Sequence, residues 1–206
     1  VMVVGVGQAT RLLGMLTLDT KSYVADISFG VETNTDDAEG EAVRTVPIAA
    51  ELRDPSYARE RLCTMLGPQM QVPPAFSAIS VNGVRAYKSA REGNAVSLPP
   101  RPVEVYSADL IAVSGEGDSC VWTVAFSVSK GTYIRALARD LGKELGVGGY
   151  LTRLRRTRVG RFALPDDASG LIAPEAMLDT RTHTVTAHTD QKTFTNREGP
   201  VSYTHL

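Results

Sequence analysis

The sequence predicts an α+β fold, with a mixed, mostly antiparallel central sheet and flanking helices. Three observations support this class. Segments of alternating apolar and polar residues recur along the chain, they are joined by turns that suit hairpins, and few segments have helical periodicity. Strands that follow one another directly favour an antiparallel sheet over a doubly wound parallel one. The chain also contains no internal repeat and no glycine-rich phosphate loop.

The amino-terminal elements are a strand end, a short helix and a longer strand. Residues 1–4 are apolar and mostly β-branched, as at the end of a strand. The stripe of a short amphipathic helix follows, formed by Leu12, Leu13, Leu16 and Thr17. The segment "KSYVADISFG" alternates and places Tyr23 on the apolar face of a half-buried strand. The acidic stretch "ETNTDDAEGE" after it is predicted to be a polar loop.

A helix is predicted in "SYARERLCTMLG". Ser56 is its expected N-cap and Gly67 its stop, and Leu62, Met65 and Leu66 form its apolar stripe.

The second half of the chain has the clearest patterns. Residues 76–81 are predicted to be a strand that enters an Asn82-Gly83 turn, and a helix-like segment ends at Gly93. Residues 102–130 form a long β-hairpin around "GEGD". Residues 132–145 form the strongest helix, and "YLTRLRRTRVGRF" alternates as a strand with its arginines on the outer face.

Composition sets limits on the class of protein. The chain has 206 residues, of which 43% are hydrophobic, which is enough to bury a core. Its apolar runs are too short for a transmembrane helix, and its first residues lack the features of a signal peptide, so we expect a cytoplasmic protein. Cys63 and Cys120 occur without CxxC or His/Cys spacing, so both are expected to be reduced and buried, with no metal site.

Positive charge is concentrated in one segment although the formal net charge is only -1. The segment "RLRRTRVGR" contains arginines but no acidic residue: Arg153, Arg155, Arg156, Arg158 and Arg161. One interpretation is a solvated strand face, on which opposite charges usually alternate. Contact with the phosphates of a nucleic acid is the better explanation of a run without acids.

"VSKGTYIRALARDLGKEL" is the stretch most suited to chemistry. Tyr133 and Arg135 follow the end of a strand and open the next helix, where a cation and an aromatic ring suit a buried carboxylate and a planar ligand. Equally, Tyr133 can pack in the core while Arg135 pairs with a surface carboxylate. Tyr23 is more typical of core packing with its hydroxyl at the rim. The residue pattern alone therefore indicates a basic face and an aromatic pocket but no reaction.

Several dense motifs together resemble the bacterial tRNA pseudouridine-55 synthases of the TruB family. These are "GQATRLLG", "DTKSY", "TNTDDAEGE", "PPAFSAISVNGVRAYKSAREG", "GTYIR" and "LTRLRRTRVGRF". The resemblance runs almost continuously from Val1 to about Phe162. It implies a pseudouridine-synthase-like domain over residues 1–165, and residues 166–206 are expected to be a short helix and a poorly ordered tail unlike the family.

The family's activity is isomerisation of one uridine in the T-arm of tRNA, without cofactor or metal. The target base must be flipped out of the folded loop and held in a pocket. By resemblance, Tyr23 stacks on this base and takes part in proton transfer, and Tyr133 lines the pocket. Arg135 pairs with the catalytic aspartate, Leu154 is an apolar pocket wall, and Arg11 contacts RNA. Arg153, Arg155 and Arg156 are the further expected RNA contacts, and nothing requires more than a monomer.

The resemblance also places the nucleophilic aspartate outside the chain. In the family it lies in a "GTLDP"-like loop a few residues before the position of Val1, and Asp19 and Asp26 do not fall on that loop. We therefore expect this chain alone to form no pseudouridine, since the loss of a covalent nucleophile removes the reaction path. The alternative function is a non-catalytic RNA-binding or RNA-chaperone module.

Overall fold

The computed structural model describes residues 1, 5, 7–15, 20–77, 80–81, 84–85, 98–164, 192–196 and 199–203. The chain divides into two compact units. The larger unit is Ser22–Arg155, and the smaller one combines Val1–Lys21 with Arg156–Leu206.

The described strands, in chain order, are β1 (Thr20–Phe29), β2 (Val31–Thr33), β3 (Ala42–Thr45), β4 (Gly67–Gln71), β5 (Ser80–Val81), β6 (Val84–Arg85), β7 (Arg101–Ser114), β8 (Cys120–Ser129), β9 (Gly149–Val159), β10 (Phe162–Ala163), β11 (Lys192–Asn196) and β12 (Gly199–Tyr203). The helices within the described residues are α1 (Pro55–Cys63) and α2 (Ile134–Glu144), with 3₁₀ helices at Gly7–Met15 and Ala50–Arg53.

The main sheet has the strand order β10-β9-β1-β8-β7-β4. β4 pairs antiparallel with β7, β7 with β8, and β10 with β9. These pairings, with the two α-helices found among the described residues, confirm the predicted α+β class with a mostly antiparallel sheet. The predicted long hairpin is also confirmed, as β7 and β8.

The core of the larger unit lies under the centre of this sheet. Along β8 every second residue is buried, as expected for a strand with one face on the core. The rings of Trp122 and Phe29 meet edge to face, with centroids 4.7 Å apart. The indole N–H of Trp122 donates to the Leu52 carbonyl across 2.7 Å, so this buried polar group is satisfied.

α2 matches its prediction closely. Ile134, Leu137 and Leu141 are buried on one stripe. The helix ends at Glu144, and Gly146 follows with a φ of 75°, a conformation that glycine adopts without strain. Gly142 permits close approach of the backbone: a Cβ built there would lie 2.1 Å from the Gly149 nitrogen. The start of β9 is therefore packed directly against α2.

Three details of the prediction are wrong. The N-cap of α1 is Asp54, which accepts from the Ser56 N–H, because Pro55 occupies the first turn. Leu66 is 46% exposed, since the helix has already ended at Cys63. Cys63 is exposed on the outer side of α1, whereas Cys120 is buried as predicted. The short helix predicted near the amino terminus is present, as the 3₁₀ helix Gly7–Met15.

Other predicted segments lie outside the described residues. These are residues 2–4 and 16–19, the Asn82-Gly83 turn, the helix-like residues 86–93 and residues 165–191. β5 and β6 flank the predicted turn and pair antiparallel. β11 and β12 also pair antiparallel, where the sequence indicated no strand. No helix in the described part of the chain is long and apolar enough to cross a membrane.

Candidate active site

Arg135 in the first turn of α2 is held by three groups. Its Nη1 donates to Oδ2 of Asp37 across 2.8 Å and to the Thr35 carbonyl across 3.2 Å. Its Nη2 donates to the Phe76 carbonyl across 2.9 Å. The Arg135 and Asp37 side chains are 24% and 21% exposed, so this ion pair is shielded but not closed off from water. The guanidinium is therefore fixed in position and orientation.

Asp37 acts as the anchor of this pair. Its Oδ1 accepts from the Thr35 hydroxyl across 2.6 Å and from the Glu39 N–H across 3.1 Å, while Oδ2 accepts from Arg135. Both carboxylate oxygens are thus engaged by donors, which fixes the side chain between the loop and the start of α2.

A second arginine holds the same loop one helical turn later. Arg139 donates to Oδ2 of Asp36 across 3.1 Å, to Oδ1 of Asp140 across 2.9 Å and to the Val72 carbonyl across 2.8 Å. Burial raises the pKa of Asp36 above its ordinary value, although Arg139 acts to lower it. Asp36 has a φ of 62°, a left-handed conformation that aspartate tolerates better than most residues.

The loop is also bound to the start of β9. The Ala38 N–H donates to the Leu151 carbonyl across 3.0 Å, and the Leu151 N–H donates to the Asp36 carbonyl across 3.1 Å. The loop of residues 34–41 is therefore connected to both the first turns of α2 and the start of β9. We call the four charged residues that join the loop to α2 the aspartate–arginine cluster: Asp36, Asp37, Arg135 and Arg139.

Tyr133 precedes Arg135 and is the N-cap residue of α2. It is half-buried, and its backbone N–H donates to the buried side chain of Gln71 across 2.9 Å. Tyr23 lies in β1, half-buried, and packs against the core cluster. The sequence left open that Tyr23 is a core residue, and the structure shows its side chain partly buried against the core. Its predicted role in stacking on a base stays a prediction.

The predicted RNA contacts are distributed over both units, and all of them except Arg156 are exposed. In the larger unit Arg153 and Arg155 are exposed on β9, and Leu154 between them is 46% exposed. In the smaller unit Arg11 is exposed on the 3₁₀ helix Gly7–Met15, whereas Arg156 is half-buried and its Nε donates to the Val1 carbonyl across 2.6 Å. The roles predicted for these residues stay predictions.

Sequence reasoning missed four residues of this site: Asp36, Asp37, Gln71 and Arg139. Asp36 and Asp37 were assigned only to a polar acidic loop, and Gln71 was not singled out. One signal was present for Arg139, since it lies four residues after Arg135 and so shares its helix face. No local pattern connects that face with the loop about a hundred residues earlier.

Comparison with known proteins identifies the family. The model of the "TruB family pseudouridylate synthase (N terminal domain)" matches residues 1–134, and that of the "tRNA pseudouridylate synthase B C-terminal domain" matches residues 135–190. The second match extends beyond Phe162, where the resemblance recognised in the sequence ends.

Curated relatives agree with the family models. The chain is 51% identical over 240 residues to a tRNA pseudouridine synthase B of Bifidobacterium longum, covering 96% of this chain and 62% of that protein. It is 51% identical over 165 residues to a tRNA pseudouridine synthase B of Mycobacteroides abscessus, covering 80% of this chain and 55% of that protein. The chain thus spans less than two thirds of the length of these relatives.

A solved structure supports the same conclusion. The chain is similar to one chain of "Crystal Structure of a Cbf5-Nop10-Gar1 Complex", with a TM-score of 0.50 and 25% identity over 82% of this chain and 38% of that one. From the family models and the relatives, the chain belongs to the TruB family of pseudouridylate synthases.

Proposed function

We propose that the protein of which this sequence is a part or the whole isomerises a uridine of the tRNA T-arm, position 55, to pseudouridine. In this reaction the N1–C1′ bond of the nucleoside breaks and a C5–C1′ bond forms, while the proton lost from C5 is balanced by one gained at N1. Family membership supports the reaction class. The observation that carries the proposal is the fixed guanidinium of Arg135, which lies two residues after Tyr133 and donates to the Asp37 carboxylate across 2.8 Å.

Arg135 can hold a second carboxylate in addition to Asp37. A guanidinium has about five N–H donors, and the three hydrogen bonds described use only part of that capacity. The catalytic aspartate that the family resemblance implies would be kept ionised by the remaining N–H groups. The family resemblance locates this aspartate in the loop before the position that aligns with Val1, and in the proposal Asp37 is the structural partner of Arg135.

Aromatic rings and arginines supply the RNA contacts of the proposal. Tyr23 stacks on the flipped base and relays a proton, Tyr133 lines the pocket and Leu154 forms an apolar wall. Exposed Arg153 and Arg155 contact phosphates, as do Arg11 and Arg156. Because the proposed substrate is tRNA, the proposed compartment is the cytoplasm, and the proposed active form is a monomer without cofactor or metal.

The test is release of tritium from a T-arm stem-loop labelled at C5 of its uridines. Two proteins are compared: residues 1–206, and the same chain preceded by the aspartate-loop segment of the Bifidobacterium longum relative, here called the extended form. The extended form should release tritium, and residues 1–206 alone should not. Release by residues 1–206 would show that the nucleophile lies within them.

A binding measurement on the same RNA separates the alternative function. If the extended form binds the stem-loop with a steep salt dependence but releases no tritium, isomerisation is refuted and the RNA-binding module is supported. The matched control is Arg135→Lys in the extended form. Lysine keeps the positive charge but lacks the planar guanidinium that can bind two carboxylates, so this variant should bind the stem-loop and release no tritium.

A further inference from the structure

A buried glutamine holds the residue from which α2 starts. Gln71 is the last residue of β4 and only 2% exposed. Its carboxamide oxygen accepts from the Tyr133 N–H across 2.9 Å, and its amide nitrogen donates to the Tyr133 carbonyl across 3.2 Å. Burial of an amide is costly unless it is hydrogen-bonded, so these two bonds fix the side chain as much as they fix Tyr133.

Tyr133 depends on this outside partner. It has extended backbone angles, with φ −99° and ψ 114°, and its own side chain makes no capping hydrogen bond. The carboxamide offers one donor and one acceptor, as a neighbouring peptide group would, and so pairs with Tyr133 as a strand partner does. The Tyr133 carbonyl also accepts the first helical bond, from Leu137 across 3.1 Å. Gln71 therefore holds the junction from which the helix extends.

The segment after Gln71 holds the next turns of α2. The Phe76 carbonyl accepts from Arg135 across 2.9 Å, and the Val72 carbonyl accepts from Arg139 across 2.8 Å. Both of those contacts are made by backbone atoms of residues 71–76. Gln71, in contrast, contacts Tyr133 through its side chain, so a single substitution can remove that contact.

We infer that Gln71 is a positioning residue for the isomerisation, one that sets the geometry of Tyr133 and Arg135 without touching RNA. This inference rests on the proposed function. Since Gln71 is buried, its replacement should slow the reaction while RNA affinity is retained. A displacement of about 1 Å in a reacting constellation can cost on the order of 100-fold in rate.

The test compares Gln71→Met with Gln69→Met in the extended form. Methionine has a similar length and volume but makes no comparable hydrogen bonds. Gln69 lies two residues earlier on the same face of β4, and its carboxamide donates to the Met65 carbonyl across 3.0 Å, away from α2. Single-turnover rate, dissociation constant for the T-arm stem-loop and thermal melting are measured for each protein.

Gln71→Met should lower the single-turnover rate roughly tenfold or more, with RNA affinity within about twofold and a cooperative melt. Gln69→Met should match the parent in rate and affinity and should also melt cooperatively. A parental rate in Gln71→Met, or an equal decrease of rate and affinity, would overturn the inference. If Gln71→Met does not melt cooperatively, Gln71→Asn takes its place, because it stays polar but is too short to reach both groups of Tyr133.

Hydrogen exchange in residues 1–206 gives a second readout that needs no activity. The Tyr133 amide should exchange faster in Gln71→Met than in the parent or in Gln69→Met, since its hydrogen-bond acceptor is gone. Unchanged exchange would overturn the positioning role. If the extended parent forms no pseudouridine, the proposed function fails, and the exchange result still decides whether Gln71 fixes Tyr133.

Discussion

Arg135 and Asp37 lie 98 positions apart in the chain, yet Nη1 of Arg135 donates to Oδ2 of Asp37 across 2.8 Å. This ion pair joins the loop of residues 34–41 to the first turn of α2. It also fixes the guanidinium on which the proposed chemistry depends. Asp37 is therefore a structural partner of Arg135, and its removal should affect stability before any substrate is bound.

Asp37→Ala should lower the free energy of unfolding by about 2 kcal/mol, because it leaves a half-buried guanidinium and two further donors without their acceptor. Urea denaturation of residues 1–206 measures this. Glu39→Ala is the matched control, since its exposed carboxylate is two residues away, and the change there should stay within about 0.5 kcal/mol. Equal effects of the two substitutions would contradict the anchoring role of Asp37.

Asp36 should make stability depend on pH in a defined direction. Burial raises the pKa of Asp36 above 3.8 in the folded chain. At pH values between the unfolded-state and folded-state pKa, the folded chain therefore keeps a proton that the unfolded chain has released. The contribution of Asp36 to stability therefore falls as pH rises through the folded-state pKa. Asp36→Asn removes this titration, tolerates the φ of 62° and keeps an acceptor for Arg139.

The stability of Asp36→Asn minus that of the parent should accordingly increase as pH rises from about 4 to about 7. Denaturation curves at a series of pH values give this difference directly, because titrations common to both proteins cancel. A difference that is constant, or that decreases with pH, would contradict the raised pKa.

Gly142→Ala separates helix propensity from packing. Helix propensity alone predicts that alanine in place of glycine in a helix interior raises the free energy of unfolding by about 1 kcal/mol. The new Cβ would lie 2.1 Å from the Gly149 nitrogen and 2.3 Å from the Gly148 carbonyl carbon, so we expect a destabilisation of about 2 kcal/mol or more. Thermal unfolding distinguishes the two signs. Lys143→Ala, at the exposed next position, should change stability by no more than about 0.5 kcal/mol.

The arginines of β9 should determine how RNA binding depends on salt. Replacing Arg153 and Arg155 with alanine should weaken binding of the T-arm stem-loop and reduce the slope of log K against log salt by roughly 0.7 to 0.9 for each phosphate that is no longer neutralised. Fluorescence anisotropy at several salt concentrations measures both effects. Arg59→Ala removes the same charge from an exposed position on α1 and should leave the slope unchanged. An unchanged slope in the double variant would refute the proposed RNA contacts.

Local sequence patterns predicted the elements well where one periodicity dominates. The stripe of Ile134, Leu137 and Leu141 located α2, and the alternation around Trp122 located β8. Prediction failed where a neighbouring residue competed for the same role, as Asp54 did with Ser56 at the start of α1.

The contacts of the candidate site were beyond prediction for a different reason. Gln71 and Tyr133 are 62 positions apart, and no local period records that a β4 side chain will meet the start of α2. The same holds for Asp37 with Arg135. Such pairs are set by tertiary packing. The motifs resembling a known family pointed to Tyr133 and Arg135, but they did not reveal which groups hold those residues in place.

Isomerisation leaves the mass of a nucleoside unchanged, so pseudouridine is mapped by mass spectrometry after carbodiimide derivatisation, which adds mass to pseudouridine. Applied to a whole unmodified tRNA treated with the extended form, this measurement tests the proposed isomerisation at its site. We expect pseudouridine at one uridine, in the T-arm, and no such product with Arg135→Lys. Pseudouridine at other positions, or none at all in a tRNA that the protein demonstrably binds, would contradict the proposed function.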